Sequence, residues 1–258
     1  MNSIKKMMLS GALGCLISGM AYADGSSPQP VKPYWQDIQV VAVNKEKPRS
    51  SFMSYADRET ALTSRFEKSP YYSLLNGTWK FFFVDSYKDL PQNITDPSVN
   101  TSSWDDITVP GNWEVQGHGV AIYTNHGYEF KPKNPQPPLL PEANPVGVYR
   151  RDIEIPANWD NRDIYLHIGG AKSGLYVYLN GKEVGYSEDS KNPAEFLINK
   201  YLQPGKNVLT LKIFRWSTGS YLECQDFWRM SGIERDVFLW SQPKASIQDF
   251  RVVSTLDD

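Results

Sequence analysis

Two short runs, Leu175-Tyr-Val-Tyr-Leu179 and Lys182-Glu-Val-Gly-Tyr186, are separated only by Asn180-Gly181. Asn-Gly accepts the positive φ angles that a two-residue turn demands, so this segment folds back on itself as a β-hairpin. Runs of the same kind, rich in β-branched and aromatic residues and separated by Gly, Pro and Asn, recur at 78–84, 148–155, 163–168, 208–216 and 236–240. No long helical period competes with them. Many short strands in one chain predict an all-β fold, a two-sheet β-sandwich of jelly-roll type. The 8 Trp, 15 Tyr and 11 Phe suit pleated surfaces, and the 18 Pro and 18 Gly break helices.

Charge narrows the function. With 27 basic and 29 acidic side chains the net charge is -2, which leaves no basic field for nucleic acid. Three His and two Cys are too few for a zinc cluster. The chain has no Gly-x-Ser-x-Gly nucleophile elbow, no Gly-Lys-Ser/Thr phosphate loop and no Gly-x-Gly-x-x-Gly dinucleotide turn.

The first 23 residues read as an export leader. Lys5 and Lys6 precede an apolar run from Met7 to Met20, and Ala21-Tyr22-Ala23 offers a small-x-small cleavage pattern before Asp24. That run is shorter than the roughly 20 apolar residues needed to span a membrane. Lipid attachment at Cys15 is the weaker alternative, because the apolar stretch continues past it. The expected location is periplasmic or secreted. After cleavage only Cys224 remains, so no internal disulfide can form and the hydrophobic core must hold the domain. No His lies near Cys224 in sequence to make it a catalytic thiol.

Three stretches fall outside the strand pattern. Residues 24–64 are polar, carry Pro28, Pro30, Pro33 and Pro48, and read as an extended arm with one helical turn near 56–62. Residues 131–145 hold six prolines and must form a long structured loop. Residues 247–254 resemble a strand that follows Pro243 and belongs to a further domain, an orphan in this chain. The expected layout is a leader at 1–23, the arm at 24–64, a sandwich at 65–241, and the start of another domain at 242–258.

The densest chemical constellation is residues 215–232, with Arg215, Trp216, Tyr221, Glu223, Asp226, Trp228 and Arg229. Sugars present an apolar C–H face that stacks on aromatic rings, and hydroxyls that pair with carboxylate, amide and guanidinium groups. This mix fits a carbohydrate. The competing reading makes Trp216 and Trp228 core residues and the charges satisfied loop pairs. A second constellation, Pro110-Gly-Asn-Trp113 with Ile122-Tyr-Thr-Asn-His126, has similar chemistry, against the alternative of a turn and an edge strand. Glycoside hydrolysis needs two carboxyl groups across the anomeric carbon. Glu223 and Asp226 are three residues apart on one aromatic-rich loop, which does not place them on opposite faces of a sugar.

The stretch Arg215-Trp-Ser-x-Gly-Ser-Tyr-Leu-Glu-x-Gln-Asp-x-Trp-Arg-Met-Ser-Gly-Ile-x-Arg-Asp236 closely resembles the N-terminal sugar-binding domain of glycoside hydrolase family 2 β-galactosidases. Further matches are Leu75-Asn-Gly-Thr-Trp79, Val109-Pro-Gly-Asn-Trp113, Ile122-Tyr-Thr-Asn125, Asn144-Pro-x-Gly147, and Asp189-Ser190 with Pro193-Ala-Glu-Phe196. The likeness runs from about Trp35 to the C-terminus.

The resemblance implies a galactose-binding-domain-like jelly roll that, in the complete enzyme, leans on a catalytic barrel after an immunoglobulin-like domain. Both catalytic glutamates of the family lie in that barrel, so no catalytic residue is expected in this chain. By the same resemblance Asp226 contacts the sugar and helps hold a sodium ion, Asn125 contacts a hydroxyl, and magnesium belongs to the complete enzyme only. The implied partners are a galactoside, the remaining domains of the enzyme, and another subunit reached through residues 24–64. His126, Thr218 and Cys224 depart from the family pattern around the site. The expected function is the sugar-binding part of a β-galactosidase, inactive alone. The alternative is a stand-alone carbohydrate-binding module, which would end after its last paired strand near Trp240.

Overall fold

The computed structural model describes residues 32–130, 134–223 and 225–256. The expected leader and Cys224 lie outside the described residues. Two antiparallel sheets carry the fold. The larger has seven strands in the spatial order Ala42–Val43, Lys182–Ser187, Gly174–Leu179, Lys206–Phe214, Val146–Glu154, Gly77–Val84 and Asp105–Val109. The smaller has four, Ala194–Leu197, Arg162–Ile168, Val237–Pro243 and Tyr72–Leu74. No helix among the described residues is long and apolar enough to cross a membrane.

The hairpin forms as its turn chemistry dictates, with Asn180 at φ 53° and Gly181 at φ 77°. Leu179 pairs with Lys182 and Tyr178 with Glu183, after which a bulge shifts Val177 onto Gly185. The longest pairing runs from Lys206↔Glu154 to Phe214↔Val146 and forms the spine of the larger sheet.

Between the sheets lies a core that includes Trp79, Phe81, Tyr149, Leu166, Ile168, Val177, Phe196, Leu211 and Leu239. The larger sheet is covered on its other face too, where Trp35, Ile94, Trp104, Val146, Val148, Tyr176, Tyr186 and Phe214 cluster. Double coverage explains why Val146–Glu154 opens with five consecutive buried residues instead of an alternating pattern. A third cluster, Met53, Tyr165, Phe238 and Trp240, sits on the smaller sheet.

Residues 34–66 make much of this second layer. Trp35 is 1% exposed and stacks on Phe214 at 4.9 Å. Burying roughly 200 Å² of such a ring contributes about 5 kcal/mol as an upper figure. Ala42–Val43 adds a strand to the larger sheet through Ser187 and Tyr186. Arg49 then places Nε and Nη2 on the two carboxylate oxygens of Glu195, each at 3.1 Å, while stacking over Trp240. The segment expected as an extended arm is therefore, from Trp35 to Met53, a strap bound to its own sandwich. The expected helical turn forms at Arg58–Leu62, capped by the Asp57 side chain on the Thr60 N–H.

The run at 247–254, expected as an orphan belonging to a further domain, forms no strand among the described residues. Those residues are exposed and have no strand partner among the described residues. An isolated extended segment has no neighbouring edge to satisfy its backbone groups, so its β-rich composition alone cannot make it a strand. It touches the strap, where the Ser50 N–H donates to Asp249 Oδ1 at 2.9 Å and Phe250 meets Phe52 at 5.4 Å, and Gln242 donates to Gln248 Oε1 at 3.4 Å.

Candidate functional site

A two-stranded ribbon outside the main sheets joins the two chemical constellations. Ile122–Thr124 pairs with Phe227–Arg229 in the register Phe227↔Thr124, Trp228↔Tyr123 and Arg229↔Ile122. Asn125 follows Thr124 and Asp226 precedes Phe227, so the Thr124–Phe227 pair leaves both at the same end of the ribbon. Strand alternation divides the ribbon's side chains between two faces. Tyr123 and Trp228 are 55% and 53% exposed, with ring centroids 5.6 Å apart. On the other face Phe227 is half-buried and Arg229 fully buried.

Asp226 is exposed and accepts a hydrogen bond from the Tyr123 hydroxyl at 2.8 Å. This bond draws the phenol tip toward the carboxylate and pushes the Tyr123 hydroxyl's pKa up. The exposed Asn125 places Oδ1 2.6 Å from His126 Nδ1. His126 thus engages the Asn125 side chain directly.

Beneath the ribbon, the loop that precedes Asp226 is pinned at several points. Glu188 is 3% exposed and accepts from the Tyr186 hydroxyl at 2.7 Å, the Thr218 hydroxyl at 2.9 and 3.0 Å and the Gly219 N–H at 2.6 Å. Burial raises its pKa against the pull of these bonds. Ser217 and Ser220 form a reciprocal cap at the start of the short Thr218–Tyr221 helix, and both hydroxyls reach Ser173. Glu223 accepts from Ser190 twice, from N–H at 2.8 Å and from Oγ at 2.6 Å. Its carboxyl is also pushed up by burial. Arg215, buried, donates through Nη2 to the Val120 and Arg229 carbonyls, tying both ribbon strands to the sandwich. Tyr221 donates to the Leu139 carbonyl and so fastens the proline-rich loop to the same place.

The two tryptophans of the long motif part company. Trp228 stands open on the ribbon, whereas Trp216 is only 9% exposed, packs on Phe130 at 5.5 Å and donates from Nε1 to Glu129 at 3.0 Å. Trp113 is wholly buried, so the Pro110–Trp113 part of the second constellation is a turn leading into core. Its packing accounts for Gly147, where a Cβ would lie 2.6 Å from the Trp113 ring. Asn144 is likewise structural, clamping the Trp216 backbone through Nδ2 at 2.8 Å and Oδ1 at 3.1 Å. Glu188 is a site component that residue patterns did not single out, and the roles of Tyr123 and Ser190, which lay within quoted motifs, were not read from them. Only the strand register brings Tyr123 to Asp226. Thr218, a departure from the family pattern, anchors to Glu188 instead of facing a ligand.

The chemistry open to the ribbon is that of a polyol site. Exposed rings offer an apolar face, Asp226 is an acceptor, and Asn125 and His126 carry both donors and acceptors. Among the described residues no group of three His, Cys, Asp or Glu is placed to hold a metal ion.

The family description "Glycosyl hydrolases family 2, sugar binding domain" matches residues 72–243. A β-galactosidase of Priestia megaterium is 41% identical over 229 residues, covering 88% of this chain and 22% of that protein. A β-galactosidase of Psychromonas ingrahamii is 39% identical over 223 residues, covering 86% of this chain and 21% of that protein. The chain thus spans about a fifth of the length of these curated relatives. Among solved structures, a β-glucuronidase of an uncultured Clostridium sp. superposes with a TM-score of 0.53 at 24% identity, covering 72% of this chain and 31% of that one. At that identity the likeness concerns the sandwich fold alone.

Proposed function

Because the chain belongs to glycosyl hydrolase family 2 through its sugar-binding domain, we propose that it forms one wall of a β-galactoside pocket in a protein that hydrolyses terminal β-D-galactosides. The observation that supports this reading is the ribbon's end, where Thr124 pairs with Phe227 so that Asn125 and Asp226 flank the same end, with Tyr123 bonded to Asp226 and Trp228 beside Tyr123. Tyr123 satisfies Oδ1 of Asp226, and the second oxygen is an acceptor for a sugar hydroxyl. A carboxylate suits this because it accepts only and so selects donors. The Tyr123 and Trp228 rings supply the surface on which the C–H face of a pyranose rests.

A sodium ion at Asp226 would find one hard carboxylate oxygen that Tyr123 does not take, and the rest of its ligands would come from outside the ribbon. The sugar contact stands without the ion. Export to the periplasm or the medium rests on Lys5, Lys6, the apolar run 7–20 and Ala21-Tyr22-Ala23.

Titration with lactose, followed by backbone amide shifts, tests the reading. Perturbations are expected at Asn125, Asp226 and their neighbours, and Asp226→Asn should abolish them. The same substitution should change unfolding free energy by no more than about 1 kcal/mol, as for an exposed ligand group. A loss of about 3 kcal/mol or more would instead mark Asp226 as part of a structural charge network.

A further inference from the structure

Asp189, Pro193 and Glu195 of the quoted motif, and Asn192 between them, take no part in the ribbon site. Together with residues 45–53 of the strap they line a cleft of about 350 Å³ on the outer side of the smaller sheet. Its floor is aromatic. The His167 ring lies flat on Phe238, with centroids 4.1 Å apart and planes 14° from parallel, and Met53 and Phe66 flank them.

The polar groups around this floor have unspent hydrogen-bonding capacity. Glu195 is fixed by Arg49 and by the Trp240 Nε1–H at 3.0 Å, and in turn holds His167 Nδ1 at 2.8 Å. The other ring nitrogen of the half-buried His167, Nε2, is not used by Glu195. Exposed Asp189 receives only the Asn192 amide, at 3.0 and 3.1 Å, so lone pairs on Asp189 and the Asn192 carbonyl remain available. Lys45 donates once, to the Ser187 hydroxyl at 3.2 Å, and keeps two further protons.

Charge and backbone restrict what can enter. Lys45, Lys47 and Arg49 face Glu46, Asp189 and Glu195, three charges of each sign, so the cleft attracts neither anions nor cations as a class. A peptide strand cannot add to the sheet here, because the Glu46 N–H already occupies the Glu195 carbonyl on the edge strand at 2.8 Å. The volume lies in the range of small-ligand sites. A lining that includes the half-buried Phe52 and Phe66, balanced charge and a rim of amide, carboxylate, imidazole and ammonium groups fit a neutral polyol with one apolar face.

We propose that this cleft is a second carbohydrate subsite, taking a neutral pyranose, built independently of Asn125 and Asp226. The Asp189–Asn192 loop lies between the two sites, since Ser190 from the same loop binds Glu223 under the ribbon.

Amide-shift titration of the whole chain with lactose, methyl β-D-galactopyranoside and methyl α-D-glucopyranoside tests this, with sodium sulfate as the anionic probe. At least one sugar should shift the amides of residues 45–53, His167 and Asn192, to the same extent in the wild type and in Asp226→Asn. Asn192→Ala and Asp189→Asn, both at exposed positions, should each weaken that response about tenfold, the value of one good hydrogen bond. Shifts confined to residues near 125 and 226 would overturn the proposal. So would cleft shifts indifferent to both substitutions, shifts produced by sulfate alone, or no response to any sugar at millimolar concentration. Cleft shifts in the wild type with no response near residues 125 and 226 would defeat the galactoside-pocket reading and leave the second subsite standing.

Discussion

A carboxylate serves as a ligand group or as a structural pin according to how many of its lone pairs the protein already uses. Glu188 takes bonds from Tyr186, Thr218 and Gly219, Glu195 from Arg49, His167 and Trp240, and Glu223 from the Ser190 backbone and side chain. Asp226 takes one, from Tyr123. In sequence Glu223 and Asp226 stand three residues apart in the same aromatic context, and nothing local tells them apart; the partner Ser190 comes from another loop. A consequence for pH follows from the burial of Glu223, which lifts its carboxyl above the ordinary value of 4.5 despite the Ser190 bonds and nearby Lys172. A raised folded pKa means that the folded chain binds the proton more tightly than the unfolded one. Stability from Glu223 is therefore fully present below the unfolded value and is lost as pH rises through the folded value. Glutamine cannot ionise, so the Tm of Glu223→Gln relative to the wild type should climb as pH is raised from 4.5 to 7. Glu188, which Glu223 also pushes up, would relax in the same direction. A Tm difference that stays flat across this window, or falls, would count against the buried carboxyl.

Elements whose geometry is decided locally were the legible ones. The hairpin turn needs two residues at positive φ, and Asn180-Gly181 provides them. Gly181→Ala should cost about 1–2 kcal/mol by left-handed strain alone, and the new Cβ would also meet Pro97 Cδ at 2.9 Å. Urea denaturation reads this as a lower midpoint with an unchanged slope. The predicted runs 78–84, 163–168 and 208–216 all find strands, displaced by one or two residues at their ends. Elements whose state depends on a distant partner were not legible. Residues 42–43 become a strand because Tyr186 and Ser187 offer an open edge, while 247–254 has comparable composition and no edge to join. Hydrogen exchange separates the two cases. Amides of 251–256 should exchange close to the rate of an unstructured chain, and those of 209–213, paired on both sides, should be among the best protected. Equal protection would show that the C-terminal segment is packed after all.

At the scale of the whole molecule, coverage of both outer sheet faces decides what is left for function. The strap and the 94–104 region seal the larger sheet, and Met53 and Phe66 roof part of the smaller one. Exposed aromatic surface then remains on the ribbon, at Tyr123 and Trp228. The sandwich was readable from strand spacing, whereas the bond of Tyr123 to Asp226 depends on a ribbon register that strand spacing does not encode. Hydrolysis imposes a stricter test than binding. A retaining reaction needs two carboxyl groups about 5 to 5.5 Å apart, one as nucleophile and one as acid and base. On this side of the molecule Glu188 is buried with both oxygens engaged, Glu223 is committed to Ser190, and Asp226 stands without a second free carboxyl beside it on the ribbon. The purified chain is therefore expected to release no nitrophenol from nitrophenyl β-D-galactopyranoside above the buffer rate. Its galactose affinity should also be weak, because a wall open to water buries too little of the sugar to offset the loss of its rigid-body freedom. Turnover present in the wild-type chain, absent from a mock preparation and lost in Glu223→Gln or Asp226→Asn would show that a catalytic pair assembles here and that the chain is an enzyme by itself.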